Sequence, residues 1–301
     1  MKIMRVVRVG AVVGIVLLLT ALPAFAATDV IATKGDEFNA AATDTYIAWT
    51  VWNGKTYIVY AKPFGGSRFR INPTGTNGWV GSIDGTTLVY QQFNFKTGRS
   101  DIFSFDLVSK NRTKIGKPVS TDRWEYEGSR SGDWVVYARY YSRTADRKIF
   151  LYNVTTQELR KVAATSGRRW ALTPDQINGN YVVWEKTRFH KHHLAGCDVF
   201  LYDITAGTAS KLANANDRCQ YAASVNPSGT VYFARSGLSC GKNVVIRTLP
   251  LGGSASTLVN FADGRDLFTT YAVDNGDTTT DVYFDRYRCG HAADILKITD
   301  P

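Results

Sequence analysis

The residues of this chain whose types can do chemistry are four histidines, four cysteines and a recurring set of arginines. His190, His192 and His193 form a His-x-His-His run, and His291 lies near the C-terminus. Imidazole nitrogens bind transition metals, so these four are the candidate ligands of a metal site. Adjacent histidines point in different directions on a loop, however, and no His-Glu-x-x-His spacing is present. The expectation is therefore an exposed basic loop and no cofactor.

Arginine supplies planar, bidentate donors that fit carboxylate or phosphate. Arg123, Arg168, Arg169, Arg218 and Arg265 stand just before aromatic or acidic residues that recur along the chain, and Arg99, Arg143 and Arg147 occupy neighbouring loops. The whole chain carries 36 basic against 26 acidic residues, a formal charge of +10. A ring of such arginines focuses a positive field on an acidic partner. The competing reading pairs them with Asp101, Asp146, Asp217, Asp266 and Asp285, and takes the adjacent aromatics as packing residues. Other catalytic signatures are missing: there is no Gly-x-Ser-x-Gly elbow, P-loop, dinucleotide fingerprint or EF-hand loop, and no identifiable glycosidase carboxylate pair.

What positions these side chains is a repeat. Trp49, Tyr90, Tyr137, Trp184, Phe233 and Phe284 recur every 41 to 51 residues, each closing an apolar β-rich run, with a glycine turn usually just upstream. A second ladder, Phe38, Trp79, Trp124, Trp170, Tyr221 and Phe268, keeps the same period. That period belongs to a four-stranded propeller blade. The fold class expected is all-β: a six-bladed β-propeller of four-stranded antiparallel blades. The sixth copy lacks its fourth strand, which Asp29-Val30-Ile31-Ala32 from the N-terminus would supply, closing the ring and removing exposed edges.

In such a blade the loops that carry Cys197, Cys219, Cys240 and Cys289 share one face. Disulfides Cys197–Cys219 and Cys240–Cys289 are favoured among the three pairings four cysteines permit. They fit an oxidising compartment. Residues 1–26 read as a signal peptide, with Lys2, Arg5 and Arg8 ahead of an apolar core and an Ala24-Phe25-Ala26 cleavage site. Residues 27–301 read as one propeller domain, with no membrane span after cleavage.

Asn226-Pro227-Ser228-Gly229-Thr230-Val231-Tyr232-Phe233 and Asp198-Val199-Phe200-Leu201-Tyr202-Asp203 resemble the repeat of the TolB-like six-bladed β-propeller family. The resemblance implies that propeller fold. TolB proteins carry a further mixed α/β domain that the stretch 27–38 is too short to form, so the propeller alone is expected. The function expected is a secreted or cell-envelope binding or scaffold module, without catalysis. It would hold an envelope protein or an anionic polysaccharide, not nucleic acid, on one loop face. The alternative is a metal-assisted polysaccharide lyase or hydrolase acting on acidic sugars. In that reading the four histidines hold the metal and arginine holds the substrate carboxylate.

Overall fold

The computed structural model describes residues 27–32, 35–191, 193–212, 219–261, 264–288 and 293–301. The signal peptide expected at 1–26, and with it His192, Arg218, Cys289 and His291, lie outside the described residues. Among the described residues every regular element is a strand.

β1 (Thr28–Ile31) is followed by a first unit of β2 (Asp36–Ala42), β3 (Tyr46–Trp52), β4 (Tyr57–Pro63) and β5 (Phe69–Arg70). The second unit is β6 (Asn77–Asp84), β7 (Thr87–Asn94), β8 (Arg99–Asp106) and β9 (Arg112–Lys114). The third is β10 (Trp124–Ser131), β11 (Trp134–Tyr141), β12 (Asp146–Asn153) and β13 (Leu159–Thr165). The fourth is β14 (Trp170–Asn178), β15 (Tyr181–His190), β16 (His193–Asp203) and β17 (Thr208–Lys211). The fifth is β18 (Cys219–Val225), β19 (Val231–Ser236), β20 (Val244–Leu249) and β21 (Ser256–Phe261). The last holds β22 (Arg265–Asp266), β23 (Thr270–Asp274), β24 (Thr280–Arg288) and β25 (Ala293–Asp300).

Within the first five units successive strands pair antiparallel, in the last β22 and β23 both pair antiparallel with β24, and the whole is a propeller-like arrangement of small sheets. Gly85 shows why the turns are tight: it opens the two-residue connection from β6 to β7 with φ 57, where a Cβ would be strained. All six residues of the first aromatic ladder are buried. Four of them face an aromatic directly across the strand pair: Trp49 faces Tyr60, Tyr90 faces Phe103, Tyr137 faces Phe150 and Trp184 faces Phe200. Their ring centroids lie 6.0, 5.6, 5.6 and 4.2 Å apart. Such cross-strand pairs stabilise a sheet beyond simple burial.

The expectation of six separate four-stranded blades needs correction. Hydrogen bonding gives five sheets, because β6–β13 join into one eight-stranded sheet. The join is a single parallel bridge between Trp124 at the start of β10 and Ser100 in β8, where Ser100 N–H also reaches the Arg123 carbonyl at 3.4 Å. A second correction concerns Phe268, which lies in a break between β22 and β23. The cause is the buried Asp285 carboxylate: it accepts the Phe268 and Thr269 N–H groups at 2.5 and 3.1 Å and so takes them out of the ladder. The terminal pairing does form: β1 lies antiparallel on β25, one residue earlier than expected.

The innermost strands β2, β6, β10, β14 and β18 touch in that order, and β23 touches both β18 and β2. Each of the first five carries a register shift at mid-length, at 38/41, 80/82, 126/129, 174/176 and 221/224. Asn39, Glu127 and Ala222 sit in these bulges with φ near 50°. Bulges re-aim side chains, and here they turn one position per strand toward the central space.

Side chains latch the units together. Thr50 Oγ1 accepts from Val80 N–H at 3.0 Å, the Glu185 carboxylate accepts from Ala222 N–H, and Asp285 accepts from Asn39 N–H at 3.2 Å. Each latch residue directly follows a ladder aromatic. Across the central space, the Tyr271 hydroxyl donates to the Ile83 carbonyl at 2.9 Å and accepts from its N–H at 3.2 Å. Gln176 bonds Ala272 and Val225 at 3.0 Å. Tyr271→Phe leaves the Ile83 groups unpaired in a buried setting and is expected to cost about 1–2 kcal/mol. Urea denaturation checks it, and an unchanged midpoint would refute the cross-link.

Candidate functional site

The loops β7–β8 and β11–β12 are hairpin tips, and the segment entering β10 rises between them. Together they wall a cleft of about 1080 Å³. Four guanidinium groups line it: Arg99 and Arg143 from the tips, Arg147 from β12 and Arg123 from the segment before β10. Two lie over aromatic rings, Arg123 at 4.5 Å from the Tyr141 centroid and Arg147 at 4.9 Å from Tyr140. Arg147 is pinned further, since its Nη1 donates to the Trp170 carbonyl at 2.6 Å. Among the described residues none of the four makes an ion pair. Of the aspartates expected to neutralise them, Asp101, Asp266 and Asp285 are engaged elsewhere, and Asp217 lies outside the described residues. Asp101 pairs with Lys114 at 2.7 Å, and Asp266 accepts the Tyr221 hydroxyl and the Gly241 N–H.

The same lining holds aromatics. Phe95 at the β7–β8 tip is 64 % exposed and lies at 6.2 Å and 27° from Trp124. Phe93 meets Phe95 edge-on at 4.8 Å. The aromatics beside the arginines were expected only to pack the sheets. Some do, but Phe95 shows an open face to the cleft.

Below the cleft, and sharing Trp79, Glu127 and Thr173 with it, lies a smaller cavity of about 230 Å³ between the innermost strands. Its lining holds Glu127, Asp175 and Glu185 but no lysine, arginine or histidine. Burial, with the charge of Glu185 added, pushes the Glu127 carboxyl up to about 8. Burial raises Glu185 to about 7, against the pull of the Ala222 N–H. Asp175 is pushed well above the usual carboxylate range by burial and then by its two acidic neighbours. Its Oδ2 is buried without a hydrogen-bond partner. Near neutral pH the base of the cleft therefore presents a protonated Glu127, able to donate a hydrogen bond, beneath four cations.

The predicted residues are placed unevenly. Of the five arginines singled out, Arg123 lines the cleft. Arg168 and Arg169 are exposed in the loop before β14 and line no part of it. Arg265, in β22, lies opposite Arg288 of β24, and Arg218 is outside the described residues. His190 and His193 face each other at the tip of β15–β16, both exposed and neither in the cleft. Among the described residues no group of three or more His, Cys, Asp or Glu is arranged to hold a metal. Cys197 and Cys219 form a disulfide with Cα atoms 4.6 Å apart. Cys240 is disulfide-bonded too, and its expected partner Cys289 is outside the described residues. Cys197, Cys219 and Cys240 share the wall of one cavity of about 390 Å³.

Glu127 and Asp175 went unnoticed in the sequence, although they sit one repeat apart at the same bulge of successive inner strands. The signal was there, a few residues after Trp124 and Trp170, but a lone acid in an alternating run carries no mark of facing a channel.

These features define a TolB-like β-propeller fold. Among solved structures, the chain is similar to TolB from Acinetobacter baumannii with a TM-score of 0.56 at 13% identity, over 85% of this chain and 64% of that one. It thus spans under two thirds of the Acinetobacter protein. Putative TolB from Agrobacterium tumefaciens gives 0.56 at 10% identity, covering 89% of this chain and 92% of that one. An oligogalacturonate lyase in complex with manganese gives 0.53 at 9% identity, covering 88% and 89%. At such identities the likeness is one of fold alone. No family model matches the chain, and no curated protein matches it in sequence.

Proposed function

We propose that residues 27–301 form an exported, six-bladed β-propeller that binds an anionic partner, an envelope protein or an acidic polysaccharide, on one loop face without catalysis. The observation that carries this reading is the cleft itself, where four guanidiniums that make no ion pair among the described residues outnumber the acids Asp122 and Glu127 and stand beside an exposed aromatic. Placed over tyrosine rings, the Arg123 and Arg147 guanidiniums are pre-organised for carboxylates. The blade count is supported by the six inner strands in mutual contact and by the β1–β25 pairing, and export by the disulfide. Arg168, Arg169 and Arg265 are proposed as secondary contacts, with Arg218, outside the described residues, a sequence candidate for the same role.

The lyase or hydrolase alternative draws its metal from histidines, and the described ones stand away from the cleft. The binding reading is preferred for that reason. Titration of the full chain with polyglutamate and with polygalacturonate, at low and high salt, tests it. Replacing Arg99, Arg123, Arg143 and Arg147 together with Gln is expected to weaken binding by about tenfold or more while leaving the melting temperature unchanged. Arg168→Gln with Arg169→Gln should weaken it less. Undiminished binding by the fourfold variant would refute the reading.

A further inference from the structure

We infer that the cleft between the second and third units takes a linear acidic oligosaccharide, an inference that rests on the binding reading above and narrows it to one class of ligand. Carboxylates of the chain meet Arg123 and Arg147, and a sugar face lies on Phe95 beside Trp124.

Three features separate this occupant from an acidic peptide. First, an extended peptide is captured mainly by a free strand edge, and the two hairpin tips that carry Arg99, Arg143 and Phe95 offer none. The β7–β8 ladder runs on to Asn94 opposite Arg99, and the β11–β12 ladder to Tyr141 opposite Asp146. The tips close on themselves through Gly98 N–H to Asn94 and Thr144 N–H to Tyr141, at 3.0 and 3.2 Å. Recognition here is left to side chains. Second, those side chains combine charge with hydroxyls and an aromatic plane: Thr97, Ser142, Thr144 and Thr173 share the lining with the arginines. Hydroxyls match a polyhydroxylated ring, and the open Phe95 face matches its apolar C–H face. Third, the volume lies at the upper end of the range of small-molecule pockets, which suits several linked units rather than one.

The test is calorimetric titration of the full chain with a uronate tetrasaccharide, its carboxyl-reduced counterpart and tetraglutamate. The uronate is expected to bind, and carboxyl reduction to weaken it about tenfold. Phe95→Ala should weaken the uronate about three- to tenfold, the range of a lost stacking contact. Phe95→Tyr, which keeps the plane, should restore it. Tetraglutamate should bind more weakly and ignore both substitutions. Equal binding of tetraglutamate and uronate, with Phe95→Ala silent for both, would overturn the inference yet leave the anion-binding reading standing. Binding of neither ligand would overturn both.

Discussion

Replacing Gly81 with alanine is expected to destabilise the protein by about 3 kcal/mol, the upper end of the range for overpacking a tightly packed site. Gly81 lies at the bulge of β6, and Gly128 at the corresponding bulge of β10. A Cβ built on Gly81 would overlap the Gly128 carbonyl oxygen and come within 2.9 Å of its carbon. The obstacle is backbone, which has no rotamer with which to give way, so relief requires the second and third units to move apart. That movement would disturb the Ser82 Oγ contact that receives Arg130 N–H at 2.8 Å. Gly116→Ala is the control, since nothing lies within 4 Å of its position and its backbone is not left-handed. It should stay within about 0.5 kcal/mol of wild type. Denaturant unfolding of both variants decides the matter, and a Gly81→Ala loss below about 1 kcal/mol would mean that these strands do not meet backbone to backbone.

The second large effect is on pH. The carboxyls of Glu127, Glu185 and Asp285 are raised by burial to about 8, about 7 and about 6, against ordinary values of 4.5 for glutamate and 3.8 for aspartate. A raised value means that the folded chain still holds protons the unfolded chain has released. The stability these groups contribute is fully present below the unfolded values and is lost as pH rises through the folded ones. Melting temperature is therefore expected to fall from about pH 5 to pH 9, most steeply between about pH 5 and pH 6, where all three groups are ionised unfolded yet protonated folded, and to level off above about pH 8. Glu127→Gln removes the highest of the three and relieves Asp175 of one like charge, so its profile should be flatter and its stability at pH 9 higher than wild type. A melting temperature that does not change across this window would refute the protonated channel. Binding should follow the same coordinate: above pH 8 an ionised Glu127 under the guanidiniums weakens their hold on an anion.

Much of the fold could be read without the structure because its signals are local. The aromatic that closes each second strand must be buried whichever partner it meets, so its type and spacing persist through the chain, as do the glycines at the turns. Where local chemistry was overridden, the reading failed: Phe268 kept the ladder spacing, yet the buried Asp285 carboxylate drew its N–H and that of Thr269 out of the strand. The candidate site was less legible. Arg123 stood out for its neighbours, as did Arg168 and Arg169, but nothing in the two similar tripeptides Asp122-Arg123-Trp124 and Arg168-Arg169-Trp170 tells which arginine leans over a tyrosine toward a cavity and which is exposed away from it.

By itself, the amino-acid sequence marked out the strand order, the turn positions and the pairing of the two terminal strands, because each depends on residue type and on a period set by strand length; it favoured the Cys197–Cys219 bridge among three pairings, and the structure decided for it. The tertiary structure alone decided that Arg99, Arg123, Arg143 and Arg147 share one cleft, that Phe95 faces it openly, and that Glu127, Asp175 and Glu185 meet in one cation-free cavity. The reason is physical. Those groups come from different repeat units and meet only when inner strands close around a common axis, and the charge states of the acids follow from the burial which that closure creates.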